Sequence, residues 1–227
     1  MAKWHRVDPG RFDDTQGDRD FVEQGPLVSI GREPPQNSTD NPLDKDDAVR
    51  LRYSFRTIPV TEEIRNRYLP NNPWVDHITC PQNDGITEFG PSGRSLIDEI
   101  SDSVKVLLVE DYNATGLVGN AYMMMPETDD LTGEPNQASM DNTFFWFMRS
   151  TGANRPTRGR GGSWGLGKLA FPLASSARTF FVVTTRSDDS RLLAGQAVLK
   201  NHQFRKQWFE EIMYFGDDDL LQDPSGY

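Results

Sequence analysis

Arg32-Glu33-Pro34-Pro35-Gln36-Asn37-Ser38-Thr39-Asp40 places an acid and an amide four residues apart, with a second acid three residues further on. On a helix, positions i, i+4 and i+7 share one face, with about 6 Å of rise between the first two. A carboxylate beside a carboxamide can activate a water and ligate a hard cation through oxygen. Taken singly, the same spacing also describes a capped surface helix. The two prolines suit the first turn of a helix and not its middle. The spacing therefore predicts that Glu33 stands at a helix start, where the helix dipole lowers its basicity.

Two more segments follow. Glu110-Asp111-Tyr112-Asn113-Ala114-Thr115-Gly116-Leu117 ends the apolar run Val104 to Val109. A carboxylate at the end of a buried strand is costly unless it has partners, and the exocyclic amine of a purine is a suitable one. An ordinary turn acid is the plainer reading of Asp111 alone. Asn113 and Gly116 tolerate positive φ, which lets a backbone approach a ring closely. Further on, Gly162-Ser163-Trp164-Gly165-Leu166-Gly167-Lys168-Leu169 has the glycine and lysine spacing of a P-loop. Leu169 stands where that loop needs Ser or Thr for magnesium, and residues 149–160 cannot form the strand that must precede it. The P-loop reading is rejected. What survives is a glycine-rich turn opening a helix, whose free N–H groups bind phosphate, with Lys168 close by; the same segment also reads as a flexible hinge loop.

Around these segments the pattern is mixed. Val49, Leu51, Tyr53 and Phe55 alternate with Arg50, Arg52, Ser54 and Arg56, which predicts a half-buried strand with a solvated arginine face. Residues 57–95 hold five prolines from Pro59 to Pro91 and read as a long irregular insertion, and Ser95 to Ser101 as a short helix. Val104 to Val109 reads as a buried strand. Phe144 to Met148 reads as a buried helical turn, 126–141 as acidic and turn-rich, and 149–160 as basic. A loop region as long as 118–162 inside a domain is usually functional, a lid or a binding loop, or else disordered. Lys168 to Arg178 reads as a helix interrupted by Pro172. Thr179–Thr185 and Leu192–Leu199 read as strands paired through Ser187-Asp188-Asp189-Ser190. The division is an N-terminal arm or edge element (1–26), one domain (27–215) and an acidic tail (216–227). The fold class is α/β, a two-layer sandwich with helices on one face of a mixed, mostly antiparallel sheet.

Composition narrows the function classes. The 227 residues suffice for one sizeable core. An apolar fraction of 36% and a mean hydropathy of −0.64 are low. Aromatics at 11% nevertheless mark a core diluted by polar loops rather than disorder. The net charge of −10 argues against duplex DNA as a ligand of the whole surface. The arginine cluster Arg149, Arg155, Arg158 and Arg160 stands out against it. It is suited to closing over phosphates or, beside Trp146 and Trp164, to single-stranded nucleic acid, and it also reads as a solvated loop. The single cysteine, Cys80, fits a reducing compartment. No apolar run approaches the ~18 residues of a membrane span, and the start lacks an apolar signal core. A cytoplasmic protein with no membrane partner is expected. His77 and Cys80 offer two metal ligands; His5 and His202 read as isolated.

In order, the three segments resemble the GHKL (Bergerat-fold) ATPases, among them gyrase B, MutL, histidine kinases and the ninety-kilodalton heat-shock chaperones. Arg32-Glu33-x-x-x-Asn37-Ser38-x-Asp40 is similar to the chaperone version of the N-box. The wording of the later segments looks closest to a subgroup of large bacterial ATP-binding proteins, with a role in defence or in a DNA-related system. The resemblance implies ATP and magnesium as cofactors, with Glu33 as general base and Asn37 as magnesium ligand. Asp111 would read the adenine amine. Asp40, Asn113, Gly116, Gly162, Gly165, Gly167, Lys168 and Thr185 complete the nucleotide site, Thr184 being the other candidate for the last. It further implies lid closure as a conformational switch, an ATP-dependent homodimer, and nucleic acid reached through a larger assembly. The chain departs from the family in Asp111-x-Asn113-x-x-Gly116, where D-x-G-x-G is usual, and in Pro34-Pro35. No domain with a catalytic lysine follows, as expected of a module from a longer chain. The alternative is a non-catalytic module that binds nucleotide, or a nucleic-acid or protein partner through 149–160.

Overall fold

The computed structural model describes residues 3–6, 25–68, 73–80, 102–123, 127–133, 135–150 and 167–216. In chain order the elements are β1 (Lys3–Arg6), α1 (Pro26–Asp40), β2 (Arg50–Pro59), α2 (Glu62–Tyr68), α3 (Pro73–Ile78), β3 (Ser103–Tyr112) and α4 (Gln137–Asp141). A π-helical turn (Phe145–Arg149) and a 3₁₀ turn (Gly167–Leu169) lead to α5 (Ala170–Ala174). Five strands complete the described residues: β4 (Thr179–Thr185), β5 (Arg191–Val198), β6 (His202–Phe204), β7 (Gln207–Phe209) and β8 (Ile212–Gly216). The class is mixed α/β with antiparallel sheets.

The long strands follow from their residues. β4 and β5 pair through a turn in which Asp189 takes φ 61°, as the Ser187–Ser190 segment predicts. With β1 and β8 they make a four-stranded sheet in the order β1-β8-β5-β4. Residues 180–183 are all apolar, and 193–198 are buried without interruption. Both faces of this sheet are therefore apolar, and both must be covered. On one face Leu193, Ala197, Met213 and Phe215 pack with Trp74 and Ile78 of α3. On the other, Phe180 and Ala194 pack with Ala121, Phe144 and Met148. Helical segments thus lie on both faces, not on the single face expected.

β2 and β3 form a separate two-stranded sheet, with Arg50 opposite Tyr112 and Pro59 opposite Ser103. The expectation of a buried Val104–Val109 strand is corrected. The strand runs longer, and every residue in it is half-buried or exposed. Among the described residues no strand flanks this pair, and only one of its faces meets α1, where Leu107 packs beside Ile30. The apolar alternation in β2 is correspondingly open, with Phe55 79% exposed. The arginine face is solvated as expected.

Other boundaries shift. The 57–95 stretch contains the end of β2 and both α2 and α3; Pro59 ends β2 and Pro73 begins α3. Residues 81–95 and the expected helix at 95–101 fall outside the described residues. The helix expected over 168–178 ends at Ala174, with Pro172 in its last turn. Lys3–Arg6 of the expected arm is an edge strand on β8. The tail boundary at 216 falls within β8, and residues 217–227 lie outside the described set. Sequence patterning missed β6, β7 and β8; all are short, and β6 and β7 are joined by a tight turn with Arg205 and Lys206 at φ 50° and 68°. Among the described residues, no helix is long and apolar enough to cross a membrane.

Candidate functional site

The site is built on α1. Gly25, at φ 78°, precedes Pro26 in the first helical turn, a start that suits both residues. Pro34 and Pro35 lie inside the helix, which overturns the placement of Glu33 at a helix start. Pro34 lacks the N–H that Ile30 would accept from, and the hydroxyl of Tyr53 donates to that carbonyl instead, at 3.1 Å. The buried stripe is Ser29, Ile30, Glu33, Pro34 and Ser38, at helical spacing. It faces β2–β3, the 3₁₀ turn and α5, where Leu169, Ala170 and Leu173 pack on Ile30.

Glu33 is 1% exposed, and its Oε1 accepts from Arg32 Nη2 at 2.6 Å and Nε at 3.0 Å. Asn37 and Asp40, one and two turns on, are exposed. The helical face expected to carry all three therefore divides at the protein surface.

Ser38 joins α1 to the second segment. Its hydroxyl donates to Asp111 Oδ2 at 2.8 Å. Strand alternation sends the adjacent acids to opposite sides of the hairpin. Asp111 lies opposite Leu51 on the α1 face, and Glu110 opposite Arg52 on the solvent face. There Arg52 holds Glu110 at 2.6 and 2.7 Å and keeps its carboxyl below the ordinary range. Asp111 is exposed at the strand end, and among the described residues Ser38 is its hydrogen-bond partner.

The turn after Asp111 is zipped to the end of α1. Leu43 N–H donates to Asn113 O and Thr115 N–H to Asn41 O, both at 3.0 Å. Asn113 does take positive φ, at 63°, but its carboxamide is spent on the 44–47 turn through contacts with Asp44 and Asp47 at 2.9 Å. Gly116, at φ 70°, lies against β4. A Cβ there would sit 2.5 Å from the Thr185 carbonyl and 2.9 Å from Thr184 Oγ1. Thr184 is buried and accepts from Leu117 N–H at 2.9 Å, while Thr185 is exposed.

Gly162, Gly165 and the arginines at 155, 158 and 160 lie outside the described residues. Gly167 opens the 3₁₀ turn that packs on α1. Lys168 is 4% exposed and turned inward, where its ammonium donates to the Ser150 carbonyl. Burial pushes its pKa down to about 8, against the raising effect of Glu211. A cavity of about 350 Å³ lies at the end of the hairpin, lined by Arg50, Leu51, Arg52 and Tyr112 rather than by the residues above. Among the described residues, no three His, Cys, Asp or Glu side chains group as a metal site.

No family model matches the chain, and no curated protein or solved structure matches it.

The structure thus brings Ser38, Asp111, Gly116 and Thr184 into one neighbourhood around the C-terminal half of α1. Ser38 and Tyr53 escaped the sequence reading. The signal for Ser38 was available: a hydroxyl within the 3.6-residue buried stripe needs a polar partner.

Proposed function

We propose that this chain is an ATP-binding domain of the GHKL type that hydrolyses ATP with magnesium. The observation that carries the reading is the Ser38–Asp111 hydrogen bond. It joins the helix bearing Glu33 and Asn37 to the strand end bearing Asp111. The support is chemical. One oxygen of Asp111 is held by Ser38, and the other suits the exocyclic amine of adenine. Gly116 and Thr184 supply the close backbone approach beside it. Glu33 polarises the attacking water. The exposed carboxamide of Asn37, one turn on, is a hard oxygen donor for a magnesium ion that arrives with the phosphates. Magnesium commonly takes few protein ligands in such sites. Gly165 and Gly167 are assigned to the phosphates, with closure of 118–162 as the switch; Lys168, turned inward to the Ser150 carbonyl, is left out of that set.

Isothermal titration with ATP and magnesium is the direct test: saturable binding that Asp111→Asn leaves intact removes the adenine assignment. Glu33→Ala is expected to bind and lose turnover, and retained turnover removes Glu33 as the base.

One observation favours a second reading, nucleotide binding without turnover. Glu33 Oε1 is engaged twice by Arg32, and a carboxylate so occupied has less capacity to take a proton from water. An Arg32→Ala variant that gains turnover supports the first reading with Arg32 as a brake. Tight binding with no turnover in either protein supports the second.

A further inference from the structure

His77 on α3 and His202 at the start of β6 meet in the core, each at most 2% exposed. His77 Nδ1 and His202 Nε2 are 2.6 Å apart. The other ring nitrogen of His202, Nδ1, is 2.7 Å from the Lys200 carbonyl. A carbonyl only accepts, so Nδ1 carries the proton. A neutral imidazole has one N–H, so Nε2 is bare and His77 donates to it. His202 was read from sequence as isolated; the fold gives it this partner.

The surroundings are apolar. The rings of Phe204 and Phe209 lie 4.9 and 4.6 Å from that of His77, and Phe209 lies 5.8 Å from that of His202. Cys80 follows α3, and its thiol donates to the Gln203 carbonyl at 3.1 Å. The charged groups on the elements that meet here are Asp76 on α3, Lys200 before β6, Arg205 and Lys206 in the hairpin turn, and Glu210 and Glu211 after β7. Asp76, Lys200, Arg205 and Lys206 are exposed. Among the described residues, no side chain of these six is hydrogen-bonded to His202.

We propose that the His77–His202 pair is an acid-sensitive clasp holding the β6–β7 hairpin against α3. A second proton on His202 has to enter at Nε2, where it faces the hydrogen that His77 already donates. It would also place a charge among phenylalanine rings. Acid uptake therefore requires the pair to part or His77 to change tautomer. Burial pushes the His202 pKa below its ordinary value of 6.5. The opened form takes up protons near the ordinary value and the closed form only at lower pH. The clasp is thus fully present above about 6.5 and loosens as pH falls from there toward the folded pKa.

The test is amide hydrogen exchange in 73–80 and 202–209 at about pH 7.5 and about pH 5.5, corrected for intrinsic rates. His202→Gln is the companion variant, because its side-chain oxygen still accepts from His77 and does not titrate. In the wild type, opening of these two segments is expected to become at least about tenfold more populated at the lower pH, with β4–β5 unchanged; in His202→Gln, which keeps only one histidine of the pair, the change is smaller. Equal opening at both pH values in the wild type overturns the proposal, as does a change in the variant as large as in the wild type. Should His202→Gln fail to fold, ring-nitrogen chemical shifts of wild-type His202 decide. Neutrality below about pH 6 supports the clasp, and protonation at or above about pH 6.5 overturns it.

Discussion

The Tyr53 hydroxyl donates to the Ile30 carbonyl at 3.1 Å, replacing the helical N–H that Pro34 lacks. A strand side chain thereby repairs a helix that its own sequence would break. The exchange also ties α1 to β2 at mid-helix, beside Glu33. Tyr53→Phe should cost about 1 kcal/mol, because the carbonyl loses its donor at a half-buried position. In the Pro34→Ala background, where residue 34 regains its N–H, the same change should cost less. Urea unfolding of the four proteins forms a double-mutant cycle, and an interaction energy of zero would show that the two residues are not coupled.

Gly116→Ala should be destabilising for two separate reasons. Its φ of 70° disfavours a side chain, and a Cβ would lie 2.5 Å from the Thr185 carbonyl. A loss of about 1–3 kcal/mol is expected, seen as a lower urea midpoint at unchanged slope. ATP affinity should fall with it, since the turn beside Asp111 must move away from β4.

Ser38→Ala and Asp111→Asn separate positioning from recognition. Asp111→Asn should weaken ATP binding by about tenfold or more, which is about 1.4 kcal/mol. Ser38→Ala leaves the carboxylate in place but unheld, and a smaller loss of about threefold is expected. Ser38→Thr, which keeps the hydroxyl, should recover it. Titration calorimetry with ATP, and with GTP as control, measures all three. Equal loss for ATP and GTP would remove the adenine reading while leaving a phosphate site.

Lys168 gives stability a pH dependence of predictable sign. Its pKa is about 8 in the fold against an ordinary 10.5. Between these values the unfolded chain holds more protons, so the contribution of Lys168 rises with pH across that window. The full change is about 3 kcal/mol, and below about pH 8 the whole cost of burying the ammonium is present. Lys168→Met should flatten this rise in unfolding free energy measured from about pH 7.5 to about pH 10. A wild-type profile already flat there would contradict a buried ammonium.

Much of this was legible in the linear chain, and the reason is local. β4, β5 and their turn follow from apolar runs bounded by turn residues, signals that need no knowledge of distant segments. The Phe144–Met148 turn and the arginine face of β2 are of the same kind. So is the positive φ of Asn113 and Gly116. These features depend on backbone sterics and on alternation, which are properties of neighbours in sequence.

The tertiary structure decided what depends on partners. The prolines after Glu33 argued for a helix start, and α1 instead continues through them because Tyr53, from another element, supplies the missing donor. The apolar run before Asp111 argued for burial, and the strand is half-open because its sheet has two strands. Lys168 looked outward to a phosphate and is turned in to Ser150. His202 looked isolated and meets His77. In each case the residue type set a requirement, for a donor, a neighbour or a counter-group. Which atom met it was settled only when segments far apart in sequence were packed together.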